Sequence, residues 1–220
     1  PPPPPPPPPP LLFLLIRRPP RSPPKPSWAA SDVYTRQDIS GKTIMFSNSL
    51  ASTLNMWDLQ IEHLLAQGFG IVRYDSRGHG QSEAPKGPYS IEMLADDAAG
   101  LLDTLGIEAV HFCGLSKGGM VAQMMGVRHS DKVKSITIAD SAAFMPAKDT
   151  WEQRIQAVTN GGMEAVVDAT TERWITSEGR DRLPGQVELI RQMILRKMGL
   201  SSLLKHTLQF LQHYNQPRGF

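Results

Sequence analysis

The feature that most constrains the fold of this 220-residue chain is a glycine-rich turn between an apolar run and a helix-like stretch. The run 109–113 leads into 114–119, of sequence GLSKGG, and the stretch 120–127 follows. A serine on a strained turn between strand and helix needs residues without side chains two positions before and after it. Gly114 and Gly118 meet that demand. The pattern predicts a turn that exposes the Ser116 hydroxyl, as in a nucleophile elbow.

Strand and helix patterns alternate on both sides of this turn. Nearly continuous apolar runs predict strands at 43–46, 71–74, 110–113 and 133–139, and helical spacing predicts helices at 57–65, 91–105 and 120–127. Ser90 is placed to cap the second of these helices and Gly106 to end it. From 150 to 214 the patterns are helical only.

This alternation predicts an α/β fold with a mostly parallel sheet covered by helices on both faces. Ligands of such sheets bind beyond the carboxyl ends of the strands. Ser116 lies at such an end, and so do Leu50, Asp75 and Asp140. The helical stretch after these strands is expected to form a cap over them.

Composition narrows the function. Four of the 23 basic residues precede Asp32, the first acid, so the rest of the chain is slightly acidic and indicates no nucleic-acid partner. The single cysteine, Cys113, excludes an internal disulfide and favours a cytoplasmic location. The apolar run 11–16 is too short to span a bilayer, so we expect neither a membrane segment nor export. No cluster of ligand residues predicts a metal.

The first 26 residues contain 15 of the 20 prolines. Such a segment is expected to form neither helix nor sheet, because proline lacks the backbone donor. We interpret residues 1–32 as a disordered tail of non-native origin. A proline-rich ligand for an aromatic groove is the alternative.

Several motifs together carry a family resemblance. They are SNSL at 47–50, MWD at 56–58, RYDSRGHGQS at 73–82, GPY at 87–89, the turn itself, Trp151 with Arg154, and Arg173 with Trp174. Residues 43–199 resemble the α/β-hydrolase superfamily and, within it, 3-oxoadipate enol-lactonases. The resemblance implies part of the α/β-hydrolase fold, with a core at 33–148 and a helical cap at 149–220.

The resemblance also implies a chemistry that needs no cofactor. Ser116 would attack the carbonyl of a lactone or carboxylic ester, and the backbone N–H groups of Leu50 and Lys117 would hold the oxyanion. Trp151 and Arg154 would contact a small-molecule substrate. A lysine beside the nucleophile departs from the apolar residue expected there. Its side chain either attracts a substrate carboxylate or extends into solvent, and we favour solvent.

The expected general base is a histidine that follows the acid in the chain. His63 and His79 precede Ser116, and His111 lies in the strand before it. His129 lies roughly 20 Å along the following helix. We expect His206 and His213, in cap-like sequence, not to reach the serine.

Asp140 is a possible acid, although loop capping is the simpler interpretation. The chain is therefore interpreted as the amino-terminal portion of a lactonase. It is expected to be inactive alone and prone to aggregate at an uncovered 133–139 edge. The alternatives are another hydrolase of this fold, such as an esterase or a cofactor-free haloperoxidase, and a non-catalytic fragment. The oligomeric state is left open.

Overall fold

One sheet of six strands organises the molecule. The computed structural model describes residues 14–15, 33–36, 42–85, 89–143 and 148–195. The strands are β1 (Leu14–Leu15), β2 (Val33–Arg36), β3 (Thr43–Ser47), β4 (Gly70–Tyr74), β5 (Val110–Leu115) and β6 (Val133–Ala139). Their order across the sheet is β1-β2-β4-β3-β5-β6.

The pairing of the four predicted strands is parallel throughout. β3 lies between β4 and β5, and β6 pairs with β5. Because these strands run in one direction, their carboxyl ends meet at one edge of the sheet, where the turn bearing Ser116 follows β5. The prediction of a mostly parallel sheet is confirmed.

Two strands were not expected. β2 pairs antiparallel with β4, and β1 pairs antiparallel with β2. The expectation that the first 26 residues form no sheet is therefore wrong at Leu14 and Leu15. Both leucines belong to the proline-free run 11–16, whose backbone N–H groups are available for pairing.

The helices follow the strands in the predicted order. They are α1 (Asp58–Ala66), preceded by a 3-10 turn at Leu54–Trp57, α2 (Ile91–Leu105), α3 (Lys117–Arg128), α4 (Lys148–Gly161), α5 (Glu164–Trp174), α6 (Ser177–Arg182) and α7 (Pro184–Leu195). At the start of α2 the Ser90 hydroxyl accepts a hydrogen bond from the Met93 N–H, and Gly106 ends the helix with φ of 68°. Both predicted ends of this helix are confirmed.

Apolar residues pack on both faces of the sheet. Met45, Val72 and Phe112 pack with α2 and α3 on one face. Phe46 and Ile71 pack with α1 on the other. At the β6 end the cover is thinner, and Ile136 and Ile138 are exposed.

Helices α4–α7 follow β6, and α4 packs over the loop after β3. Ile155 and Val158 contact a small cluster that includes Leu50, Ala51 and Tyr89. Between 148 and 195 the chain is helical, with no strand, and residues 196–214 of the predicted helical stretch lie outside the described ranges. The division into tail, core and cap stays a prediction. No helix in the described part is both long and apolar enough to cross a bilayer.

Candidate active site

Ser116 stands on a strained turn between β5 and α3. Its backbone has φ of 53° and ψ of −114°, a conformation that L-residues rarely adopt. The Ser116 N–H donates to the Ala139 carbonyl at 2.9 Å, and its own carbonyl accepts from the Gly119 N–H at 2.9 Å. These bonds fix the turn to β6 on one side and to α3 on the other, and leave the side chain partly exposed.

Glycine is required on both sides of this serine. A Cβ atom at Gly114 would overlap the backbone of Gly118, and one at Gly118 would overlap the carbonyl of Ser47. At Gly119 a Cβ would lie 2.5 Å from the Cβ of Ser141. The predicted close approach of strand and helix is present, and it also brings the start of α3 against the loop after β3.

Backbone strain collects at the carboxyl edge of the sheet. In the described ranges the non-glycine residues with positive φ are Ala51, Ser116 and Asp140, which follow β3, β5 and β6 respectively. Such conformations persist only where the surroundings over-determine them, and they concentrate at functional sites. This edge is therefore the candidate site on backbone geometry alone.

Asn48 organises the loop after β3. Its side-chain amide donates to the Tyr74 carbonyl at 2.9 Å and to the Asp75 carboxylate at 3.2 Å. Its side-chain oxygen accepts from the Trp57 indole N–H at 2.9 Å. The same Asp75 carboxylate accepts from the Leu54 N–H at 2.7 Å. The loop that carries Leu50 is thus held from both ends.

The two predicted oxyanion donors lie on facing backbones. Lys117 is the first residue of α3, so its N–H has no partner within the helix. Leu50 belongs to the loop against which the helix start packs. Within 42–85, 89–143 and 148–195, neither N–H donates to a protein acceptor. A helix N-terminus also favours negative charge. This placement suits an oxyanion, and the role itself stays a prediction.

The Lys117 side chain does not extend into solvent, so that prediction is wrong. The residue is only 6% exposed, and its amine donates to the Ser76 hydroxyl at 2.5 Å. Burial lowers the pKa of the amine to about 7, although the Asp75 carboxylate favours its charged form. The start of α3 packs against the loop after β3, and the amine hydrogen-bonds within the loop after β4, so tertiary contacts hold the side chain inside.

His79 is buried beside this amine and is not a free base. Its Nε2 lies 3.4 Å from the Lys117 amine and its Nδ1 lies 3.3 Å from the Arg77 carbonyl. Burial, and then the Lys117 charge, hold the pKa of His79 well below its usual value. A neutral ring with Nδ1–H donating to Arg77 leaves Nε2 to accept from Lys117. The His79 ring is thus held within the loop 75–82.

The other described histidines are also engaged elsewhere. His63 is exposed on α1. His111 Nδ1 lies 2.8 Å from the Ser135 hydroxyl, and His129 Nε2 lies 2.7 Å from the Asp96 carboxylate. None of these four rings hydrogen-bonds to Ser116. His206 and His213 lie outside the described residues.

Asp140 follows β6 with φ of 42° and an exposed side chain. The neighbouring Ser141 hydroxyl donates to the Ser116 carbonyl at 2.7 Å, so this segment touches the elbow. In the part of the chain that the structure covers, no histidine hydrogen-bonds to Asp140. Its role as acid stays a prediction.

Trp151 and Arg154 lie together on α4. The Arg154 guanidinium stands over the Trp151 ring, 4.8 Å from its centroid. Burial, and then the charge of Arg173, lower the pKa of Arg154. No carboxylate within the described ranges pairs with this half-buried cation. The pair can therefore offer a flat apolar surface and an unneutralised positive charge to a ligand.

Sequence reasoning missed the polar network beneath the site. Asn48, Asp75, Ser76, His79 and Lys117 are all buried, where isolated polar groups are costly. The available signal was their position in two motifs that directly follow β3 and β4. No feature of the sequence indicated that Lys117 would belong to this network.

Comparison with known proteins agrees with this geometry. Residues 42–175 match the family described as alpha/beta hydrolase fold. The 3-oxoadipate enol-lactonase 1 of Acinetobacter baylyi is 39% identical over 135 residues, covering 61% of this chain and 50% of that protein. Its 3-oxoadipate enol-lactonase 2 is 33% identical over 161 residues, covering 69% and 60%.

A solved structure adds a fold-level match. The crystal structure of the enol-lactonase from Burkholderia xenovorans superposes with a TM-score of 0.74 at 36% identity, covering 80% of this chain and 68% of that one. The chain spans 50% and 60% of the two Acinetobacter proteins. The matched residues extend from β3 through α5, and the chain belongs to the alpha/beta hydrolase fold family.

Proposed function

We propose that this chain carries the nucleophile, the oxyanion site and the cap of a hydrolase that opens a lactone or cleaves a carboxylic ester. The observation that carries the proposal is the Ser116 backbone, strained between two obligatory glycines and pressed against the loop of Leu50. Strain of this kind is retained where it exposes a reactive group. The enol-lactonase names of similar proteins support a lactone as the substrate.

In the proposed reaction the Ser116 oxygen attacks the ester carbonyl while a base takes its proton. The carbonyl oxygen becomes an oxyanion, held by the N–H groups of Leu50 and Lys117, and each such donor typically contributes about 3 kcal/mol in the transition state. Collapse breaks the ring C–O bond, and the leaving oxygen receives the proton from the base. Water then hydrolyses the acyl-enzyme through the same steps.

The substrate proposed in most detail is 3-oxoadipate enol-lactone, an intermediate of aromatic-compound breakdown. Such a lactone carries a free carboxylate. Arg154, stacked on Trp151 and lacking a carboxylate partner among the described residues, is the candidate to meet it. Trp151 would pack against the ring. The enzyme is proposed to act in the cytoplasm without a cofactor.

The general base is proposed to lie outside the described residues. His63, His79, His111 and His129 are exposed elsewhere or bound to other groups, so none is placed to take the proton from Ser116. Without its base a serine hydrolase loses on the order of a millionfold in turnover. His206 and His213 are expected from the sequence not to reach Ser116, so the 220-residue chain is expected to show no lactone hydrolysis above background.

The test compares two proteins. One is the 220-residue chain, and the other is the product of the whole open reading frame that contains it, both assayed for ring opening of the enol-lactone and for release of p-nitrophenol from its acetate. We expect turnover from the second protein, lost in Ser116→Ala, and none from the first. Turnover that survives Ser116→Ala contradicts the nucleophile assignment. Cleavage of the acetate without the lactone favours a general esterase, and no turnover from either favours a non-catalytic protein.

A further inference from the structure

A buried amine lies directly behind the proposed nucleophile. Lys117 follows Ser116 and begins α3, and its amine reaches the Ser76 hydroxyl at 2.5 Å and His79 Nε2 at 3.4 Å. Both partners belong to the loop 75–82 after β4. The Lys117 side chain therefore joins the first turn of α3 to the loop that follows β4.

The loop 75–82 is a compact turn in its own right. The His79 N–H donates to the Ser76 carbonyl at 2.9 Å, the Ser82 N–H to the His79 carbonyl at 3.0 Å, and the Ser82 hydroxyl to the Asp75 carbonyl at 2.6 Å. Asn48 binds the start of this loop from the β3 side. Lys117 binds it from the α3 side, so the loop can transmit its position to the serine.

We propose that Lys117 is a positioning residue that ties the start of α3 to the loop 75–82, and that protonation of its amine loosens this tie. The inference rests on the proposed function only in giving Ser116 a catalytic role. The tie and its response to pH are properties of the folded chain and are measured without substrate.

The charged groups around this amine determine the sign of the effect. Asp75 attracts its charged form, His79 stays neutral and accepts a hydrogen bond, and Arg77 is already paired with Asp97. Burial outweighs the attraction of Asp75 and lowers the pKa of Lys117 to about 7. When the loop opens, water restores the ordinary lysine pKa of about 10.5. Opening therefore takes up a proton between these two values and becomes less favourable as the pH rises.

The first measurement is an NMR titration of the 220-residue chain with isotope-labelled lysine side chains. One lysine should titrate near pH 7 and be missing from Lys117→Met, whereas the matched variant Lys134→Met, at an exposed position of β6, should retain it. Methionine fills the same space without a charge, so the variant is expected to fold. If the signal missing from Lys117→Met titrates above pH 10 in the unmodified chain, the proposal is overturned.

The second measurement is amide hydrogen exchange in the loop 75–82, corrected for intrinsic rates, from pH 7 to 9. The opening constant should fall by up to about tenfold per pH unit in the unmodified chain and in Lys134→Met, and be independent of pH in Lys117→Met. Equal opening in all three proteins at every pH would mean that Lys117 only fills space. Because Ser116→Ala should behave as the unmodified chain, this result is separable from the test of function.

Discussion

The loops at the carboxyl edge of the sheet and the helices α4–α7 are built in opposite ways. In the loops, polar side chains such as Asn48, Asp75 and Ser76 are buried and hydrogen-bonded, and backbone strain is retained. In the helices few residues are buried, with Val158, Val167 and Ile194 as the apolar examples, while Leu189 is 63% exposed. The loops are over-determined and the helices are loosely held.

Because of this difference, the two regions should differ in how well they tolerate substitutions. A buried, fully satisfied polar network fixes a single arrangement, because any lost partner leaves a costly group behind. A helix held by a few apolar contacts can change its surface, and its position, at little cost. Both properties suit the proposed hydrolase, in which the loops would fix the reacting groups and the proposed cap would cover the substrate. Matched substitutions in the two regions test whether the loops tolerate fewer changes than helices α4–α7.

Replacing a glycine by alanine at the start of α3 and at the start of α7 should give the largest difference in unfolding free energy between the two regions. Gly118→Ala places a methyl group onto the Ser47 carbonyl, which belongs to backbone and cannot move aside, and should lower the free energy of unfolding by at least about 3 kcal/mol. Gly185→Ala, near the start of α7, meets no atom within 4 Å and should leave it unchanged or raise it by up to about 1 kcal/mol. Urea unfolding followed by circular dichroism measures both. Similar losses would show that the elbow is not over-determined.

The next largest difference in unfolding free energy should come from breaking one ion pair in each region. Arg77 donates to the Asp97 carboxylate through Nε at 2.6 Å, and the Asp97 side chain is 13% exposed, against 72% for Asp168 beside Arg191 on the helices. Asp97→Ala leaves a buried guanidinium unpaired and should cost about 3 kcal/mol of unfolding free energy. Asp168→Ala should cost too little to measure, because water screens that pair.

A double variant sharpens this second contrast. Burial raises the pKa of Asp97 even though Arg77 opposes the shift, so the pair offsets a desolvation cost rather than adding stability. Replacing both partners by Arg77→Met and Asp97→Leu should therefore recover much of the stability that Asp97→Ala loses. A double variant as unstable as the single one would show that the pair itself stabilises the fold.

The parts of the fold that follow from local chemistry were predictable. The four parallel strands are mostly apolar runs, and Ser90 and Gly106 mark the two ends of α2. β2 was missed because its four residues, Val33–Arg36, alternate over too short a span to signal a strand. β1 was missed because prolines dominate its surroundings, although Leu14 and Leu15 themselves have free donors. Both cases depend on pairing with distant residues, which local patterns do not record.

The site divides in the same way. The strained conformation of Ser116 follows from the steric demands of one turn. Gly114 and Gly118 make that turn recognisable in the sequence. The burial of Lys117 depends on the loop 75–82, which meets the start of α3 only in the folded chain. The charge and length of the side chain alone therefore misled the sequence interpretation. Backbone geometry was local and predictable, whereas the environment of a side chain was set by tertiary contacts.

The smallest contrast concerns two helix caps with nearly the same geometry. The Ser90 hydroxyl accepts from the Met93 N–H at 3.1 Å, and the Thr176 hydroxyl accepts from the Gly179 N–H at 3.1 Å. Ser90→Ala should cost about 1 kcal/mol of global stability, because α2 is 15 residues long and packs on the sheet, so its first turn unfolds only with the core. Thr176→Ala should leave global unfolding unchanged and instead speed amide exchange within α6, since that helix has six residues and none is buried. Ser90→Asp restores a capping oxygen and should regain most of the loss. If Thr176→Ala lowers global stability as much as Ser90→Ala does, α6 unfolds together with the core and is not loosely held.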